Sequence, residues 1–257
     1  MYIIRVEVFG RYFIFVYLTI VKMKSLLILI FCLPLLAAAQ NGNTKLKFKK
    51  INNAIYTYTT YHLFSGSPFP SNSSYLVTDE GVVLFDTPWD ESQFQPLLDS
   101  IQKRHNKKVI MCIATHFHDD RSAGLEYYAD KDIATYSSKY TKELSLKNGN
   151  KTAKHTFEKD TVFNVGGYRF ETFYPGPGHS PDNILIWLEK DKFLYGGCFI
   201  KSVESDNLGN LGDADVAAWD NSLESLMKKY PKPAYVEAGH FKGSRSWRAV
   251  KHTLELV

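Results

Sequence analysis

Thr115-His116-Phe117-His118-Asp119-Asp120-Arg121 decides the reading of this chain. It directly follows residues 108–114, an apolar run with the make-up of a buried strand. The heptapeptide therefore lies on a strand-end loop, where sites are commonly built. Two histidines two apart, with an aspartate two further on, bring imidazole and carboxylate ligands together, a set that suits zinc. In isolation the same letters also fit a polar loop with chance histidines.

Working outward, three more ligand-type residues stand in the same setting. His179 lies in Gly176-Pro177-Gly178-His179-Ser180, after a strand-like run ending at Tyr174. Cys198 lies in Gly196-Gly197-Cys198, after a run ending at Tyr195, and His240 in Ala238-Gly239-His240, after a run ending at Ala238. Glycine beside each lets the backbone turn tightly and approach closely. Taken singly, a cysteine at a strand end is a small core residue and a histidine near a chain end is a solvated one. Four such motifs at successive strand ends are not ascribed to chance.

The rest of the pattern frames them. Residues 55–61, 74–78, 82–86, 108–114, 162–165, 168–174, 183–188, 192–196 and 234–238 read as strands. Residues 62–74, with Gly66, Pro68 and Pro70, read as a flexible hairpin loop. Helical spacing covers residues 91–105, with Phe94, Leu97, Leu98 and Ile101 on one face, and residues 214–229, with Ala217, Leu223, Leu226 and Met227 as core. Residues 122–129 and 244–257 read as further helices. Strands and helices alternate in two comparable halves, which predicts sheets covered by helices on their outer faces. No fixed-period repeat and no low-complexity linker divides residues 40–257, read as one domain.

Residues 1–39 stand apart. Met23 and Lys24 open a stretch with an apolar core over residues 26–36 and small residues Ala37, Ala38 and Ala39, the layout of a secretory signal peptide cleaved before Gln40. Residues 1–22 then read as an upstream extension, with Met23 as the start. The competing reading is an uncleaved anchor, for which the apolar core is short. The segment holds Arg5, Arg11, Lys22 and Lys24 against Glu7. Of the chain's 31 basic and 27 acidic side chains, 27 and 26 therefore remain beyond it. That balance gives no electrostatic case for nucleic acid or an anionic membrane as a partner. Export to the periplasm would permit a disulfide between Cys112 and Cys198, unless Cys198 is a ligand and Cys112 core.

These motifs in this order resemble the metallo-β-lactamase superfamily, and the resemblance runs from about residue 50 to the end. It implies an α+β fold, an αβ/βα four-layer sandwich. The superfamily pattern falls on Asp86, then His116, His118 and Asp120, then His179, Cys198 and His240. Many superfamily hydrolases carry a histidine after the motif aspartate and an aspartate at the later ligand position. Here those positions hold Arg121 and Cys198. The pair is similar to class B β-lactamases with a three-histidine zinc site and an Asp-Cys-His zinc site. Residues 196–202 and 208–214 are close to that subclass, and the chain resembles its flavobacterial branch most.

The resemblance implies hydrolysis of the β-lactam ring of penicillins, cephalosporins and carbapenems, and so antibiotic resistance. Two zinc ions per chain are implied, one on His116, His118 and His179, the other on Asp120, Cys198 and His240. Asp120 would also orient the nucleophile, Asn210 would stabilise the oxyanion, and Lys201 would bind the drug's carboxylate. Lys201 also fits a solvated loop cation, and Asn210 a turn residue beside Gly209. Asp86 and Arg121 would support the metal loop and balance charge, or form a structural ion pair; Asp119 is a helper or a loop cap. Residues 62–74 would cover the substrate with Leu63, Phe64 and Phe69. One departure stands out: many relatives have Pro-Gly-His-Gly around the last ligand, and this chain has Ala238-Gly239-His240-Phe241. A lactone or thioester hydrolase on the same fold, and a non-catalytic zinc-binding module, are the competing readings. Nothing demands more than a monomer.

Overall fold

Val82, Val83, Leu84 and Phe85 are all fully buried, as a strand must be when both of its faces are covered. In the computed structural model, which describes residues 46–64, 66–158 and 160–257, that strand lies in the middle of a seven-stranded sheet. The sheet runs in chain order: β1 (Lys47–Lys50), β2 (Ile55–Phe64), β3 (Ser67–Val77), β4 (Val82–Phe85), β5 (Val109–Ile113), β6 (Ala134–Ser138) and β7 (His155–Phe157). A second sheet of six holds β8 (Val162–Val165), β9 (Tyr168–Phe173), β10 (Leu185–Leu188), β11 (Phe193–Gly197), β12 (Tyr235–Ala238) and β13 (Ser244–Arg245), in the order β13-β12-β11-β10-β9-β8. The signal peptide and start site read over residues 1–39 lie outside the described residues.

The alternation of side chains along each strand builds three cores. Val83 and Phe85 join Ile113, Phe170, Ile186 and Tyr195 between the two sheets. Val82 and Leu84 point the other way. They pack with Cys112 against α1 (Phe94–His105) and α3 (Leu125–Ala129), which follows the short α2 (Asp119–Ser122). On the far side, Leu185, Trp187, Leu194 and Val236 pack against α5 (Val216–Lys229) and α6 (Arg248–Leu256). The result is helices, sheet, sheet, helices: the expected four-layer sandwich.

Several sequence expectations are corrected in detail. Residues 62–74 are not a loop: β2 and β3 stay paired from Ile55↔Leu76 out to Phe64↔Ser67. Pro68 and Pro70 are tolerated there because β4 pairs only with residues 74–77 of β3, leaving that edge without a ladder to interrupt. Ala217 is exposed and Trp219 takes the core position. Residues 244–257 divide into β13 and α6. One helix, α4 (Lys139–Asn148), and strands β1, β6 and β7 have no counterpart in the sequence reading. Helix α4 and β6 bury hydroxyls (Thr141 and Ser145; Thr135, Ser137 and Ser138), so neither carries an apolar stripe. Ser138 nevertheless caps α4, accepting from Thr141 N, and Gly149 closes it in the left-handed region.

Candidate metal centre

All the predicted ligands sit just beyond strand ends on one edge of the sandwich. His116, His118 and Asp120 follow β5, His179 lies between β9 and β10, Cys198 follows β11 and His240 follows β12. The backbone at Gly239 must be glycine: a Cβ there would lie 2.6 Å from Cys198 N. The last two ligands can therefore come together only because one of the flanking residues has no side chain.

Two groups of donor atoms result. His116 Nε2 is 3.1 Å from His118 Nδ1, which is 3.2 Å from His179 Nε2. Cys198 Sγ is 3.2 Å from Asp120 Oδ2 and 3.3 Å from His240 Nε2, with Asp120 Oδ2 and His240 Nε2 3.5 Å apart. Zinc bonds of about 2.0–2.3 Å in a tetrahedron imply ligand–ligand edges of about 3.3–3.7 Å. The observed spacings are close to those edges, and the donor set (three imidazoles; carboxylate, thiol and imidazole) has the chemistry of a zinc site.

The outer ring nitrogens point the same way. His118 Nε2 is 3.0 Å from Asp213 Oδ2, His240 Nδ1 is 2.7 Å from Pro70 O, and His116 Nδ1 is 3.4 Å from Thr115 Oγ1. Proton-accepting partners on the outside leave the inner nitrogens with a lone pair facing inward. Burial keeps His116 and His179 uncharged well below the ordinary imidazole range, and it lowers His240 to about 4, with Arg121 assisting. Burial alone would raise the Asp120 carboxyl, but Arg121, His240 and the two histidines of the loop pull it well below the usual carboxylate range.

Arg121 is the hub. Wholly buried, it donates from Nη1 to Asn72 O at 2.5 Å and Tyr195 Oη at 3.1 Å, and from Nη2 to Gly239 O at 2.8 Å. Its Nη2 and Nε also reach Cys198 Sγ at 3.0 and 3.2 Å, and Nη2 lies 3.0 Å from Asp120 Oδ2. Burial pushes the Cys198 thiol up, and the guanidinium opposes it. Metal would have to displace that proton on binding. Behind Arg121, Asp86 holds Thr115 N at 2.6 Å and Thr115 Oγ1 at 2.8 Å, and accepts from Tyr195 Oη at 2.6 Å. It does so from a left-handed backbone, φ 68°. Burial raises its carboxyl to about 6 against the pull of Arg121. The pair is a structural ion pair, 3.7 Å apart, and Asp86 ties it to Thr115 at the start of the His116–Asp120 loop.

Among the described residues both cysteines are free, which leaves Cys198 available and Cys112 in the core. The two donor groups open into a cavity of about 1040 Å³ also lined by Phe64, Phe69, Lys201 and Asn210. Lys201 is buried in the wall, its Nζ 5.2 Å over the Trp219 ring. Asn210 Oδ1 accepts from Gly212 N at 3.0 Å, as a turn residue does. Asp119 lines the cavity from the first turn of α2. Three residues escaped the sequence reading: Asp213, Tyr195 and Asn72. Asp213 lies within residues 208–214, but nothing in the letters shows a carboxylate reaching back 95 residues to His118.

Comparison with known proteins agrees with this geometry. The Metallo-beta-lactamase superfamily profile matches residues 66–240. The chain is 44% identical over 239 residues to "Metallo-beta-lactamase type 2" of Elizabethkingia meningoseptica, covering 92% of this chain and 94% of that one. It is 39% identical over 210 residues to "Metallo-beta-lactamase IND-1" of Chryseobacterium indologenes, covering 80% and 86%. Among solved structures it is similar to the metallo-beta-lactamase of Pontibacter korlensis, with a TM-score of 0.79 at 34% identity over 82% of this chain and 98% of that one.

Proposed function

The chain belongs to the metallo-β-lactamase superfamily, and from that premise we propose that it hydrolyses the β-lactam ring of penicillins, cephalosporins and carbapenems with two zinc ions, conferring resistance to them. The observation that carries this reading is the pair of donor groups, 3.1–3.5 Å between neighbouring atoms, opening into one cavity. His116, His118 and His179 would hold one ion; Asp120, Cys198 and His240 the other. Three protein ligands each leave a coordination position for water or substrate, as structural sites do not.

When bound, zinc polarises a carbonyl and acidifies water toward neutral pH. The chain's own residues do the rest. Asp120, held ionised, accepts a proton-bearing contact from the attacking water and so orients it toward the ring carbonyl. Lys201 projects a cation into a largely apolar wall, where it pairs with the carboxylate that penicillins, cephalosporins and carbapenems carry; desolvation strengthens that pairing. The Asn210 amide nitrogen, with its oxygen occupied by Gly212, is the donor left for the developing oxyanion. Phe64 and Phe69 on the β2–β3 hairpin cover the substrate's apolar parts. Asp86 and Arg121 keep the metal loop in register. This chain supplies all six donor side chains, so the proposed chemistry calls for no more than a monomer.

The signal-peptide layout of residues 23–39 supports export, and with it the periplasm as the proposed site of action. Among the described residues no helix is long and apolar enough to cross a membrane. The test is turnover of a carbapenem and a chromogenic cephalosporin by purified protein, with added zinc, with a chelator, and in Cys198→Ser. Chelator-sensitive turnover that collapses in the variant supports the reading. A folded, zinc-loaded protein that leaves both drugs intact refutes it.

A further inference from the structure

The β2–β3 hairpin does more than wall the cavity: it grips the loop that carries His240. Pro70 O accepts from His240 Nδ1 at 2.7 Å. Asn72 N donates to Gly239 O at 2.8 Å. The Asn72 side-chain amide donates to Ala238 O at 3.2 Å and to Phe241 O. Above these, the Phe69 ring stands 5.0 Å from the His240 ring and meets Phe241 edge-on at 5.6 Å and 83°.

Phe241 is the unexpected member. Its backbone holds φ 57°, a region disfavoured for a bulky L-residue. Its ring is 40% exposed, so burial does little to offset that backbone. What the ring does gain is the edge of Phe69, and through it a second hold on the hairpin. The outer nitrogens of His116 and His118 go instead to Thr115 and Asp213, neither of which is on the hairpin.

We propose that Phe241 is a latch that holds the β2–β3 hairpin on the His240 loop, so that hairpin docking and metal binding at Asp120, Cys198 and His240 strengthen one another. This rests on reading that group as a metal site. Coupling of this kind is reciprocal: metal orders the hairpin to the degree that the docked hairpin favours metal. The latch acts chiefly on that half of the centre, because the Phe241 ring reaches the hairpin at Phe69, whereas the outer nitrogens of His116 and His118 make no bond to the hairpin. An edge-on aromatic pair of this geometry is worth about two- to tenfold in an equilibrium constant.

The experiment is a cobalt(II) titration of the purified protein, of Phe241→Asn and of Phe69→Ala. Asparagine tolerates the left-handed backbone without supplying a ring, and Phe69→Ala removes the other half of the contact without touching that backbone. Cobalt on Cys198 gives a thiolate charge-transfer absorption, whereas cobalt on the three histidines gives ligand-field bands alone, so the two groups report separately. We expect the affinity read from the thiolate band to fall about two- to tenfold in either variant. The double variant should fall no further than Phe69→Ala alone, which also loses the Phe69–His240 ring contact, and the three-histidine affinity should stay unchanged. Amide exchange over residues 62–70 should slow on cobalt binding in the wild type and respond less in the variants. Unchanged thiolate-band affinity in folded variants would overturn the latch. A wild type with no thiolate band at saturating cobalt would instead overturn the metal-site reading beneath it.

Discussion

Glu237 on β12 is 3% exposed, and its Oε2 has no hydrogen-bond partner among the described residues. Burial raises its carboxyl from 4.5 to about 8, with only Lys49 and Tyr235 opposing. Between those values the folded chain keeps a proton that the unfolded chain has lost. Stability supplied by the neutral acid is complete below pH 4.5 and drains away as pH rises toward 8. The slope is about 1.4 kcal/mol per pH unit. Glu237→Gln is close to isosteric with the neutral acid and cannot ionise, so it lacks this slope. From pH 5 to pH 7 the variant should gain about 2.7 kcal/mol on the wild type, about 5–11 °C in Tm for a domain of this size. Paired thermal or urea unfolding at pH 5, 6, 7 and 8 measures it, with titrations common to both proteins cancelling in the difference. Parallel wild-type and variant curves would refute the assignment of Glu237 as a buried neutral acid.

Other groups make different predictions. Arg121→Ala strands Asp86, which is fully buried; urea unfolding should show a loss of about 3–5 kcal/mol, and a loss below about 1 kcal/mol would contradict the hub described above. Asp213→Ala removes the partner of His118 Nε2 from a half-exposed loop, so zinc affinity of the three-histidine group should drop about 10- to 100-fold with the Tm of the metal-free protein unchanged; competition with a chromophoric chelator reads this directly. Lys201→Ala should raise KM about 10- to 100-fold for substrates bearing the carboxylate, and much less for the corresponding ester; equal effects on both would remove Lys201 from substrate binding.

What the sequence made legible, and what it did not, divides along chemical lines. His116, His118, Asp120, His179, Cys198 and His240 could be picked out because few residue types bind metal, and because each followed an apolar strand-forming run. Folding brought all six within reach of one cavity. The four layers were legible for a similar reason, since runs such as residues 82–85 have no solvated face. Helix α4 was not, because what it buries is the hydroxyls of Thr141 and Ser145, and a hydroxyl stripe looks like a surface. The hairpin was misjudged because Gly66, Pro68 and Pro70 are loop residues by propensity, while an unpaired edge of β3 makes prolines harmless there. Least legible of all was the support behind the ligands. Pro70, Asn72 and Gly239 hold His240 and Arg121 through main-chain carbonyls, which every residue possesses and no sequence pattern marks. Phe241 shows the limit from the other side. Its oddity beside the last ligand was plain in the letters, but its consequence depends on a ring 172 positions earlier, Phe69, and so only the folded chain could give it a role.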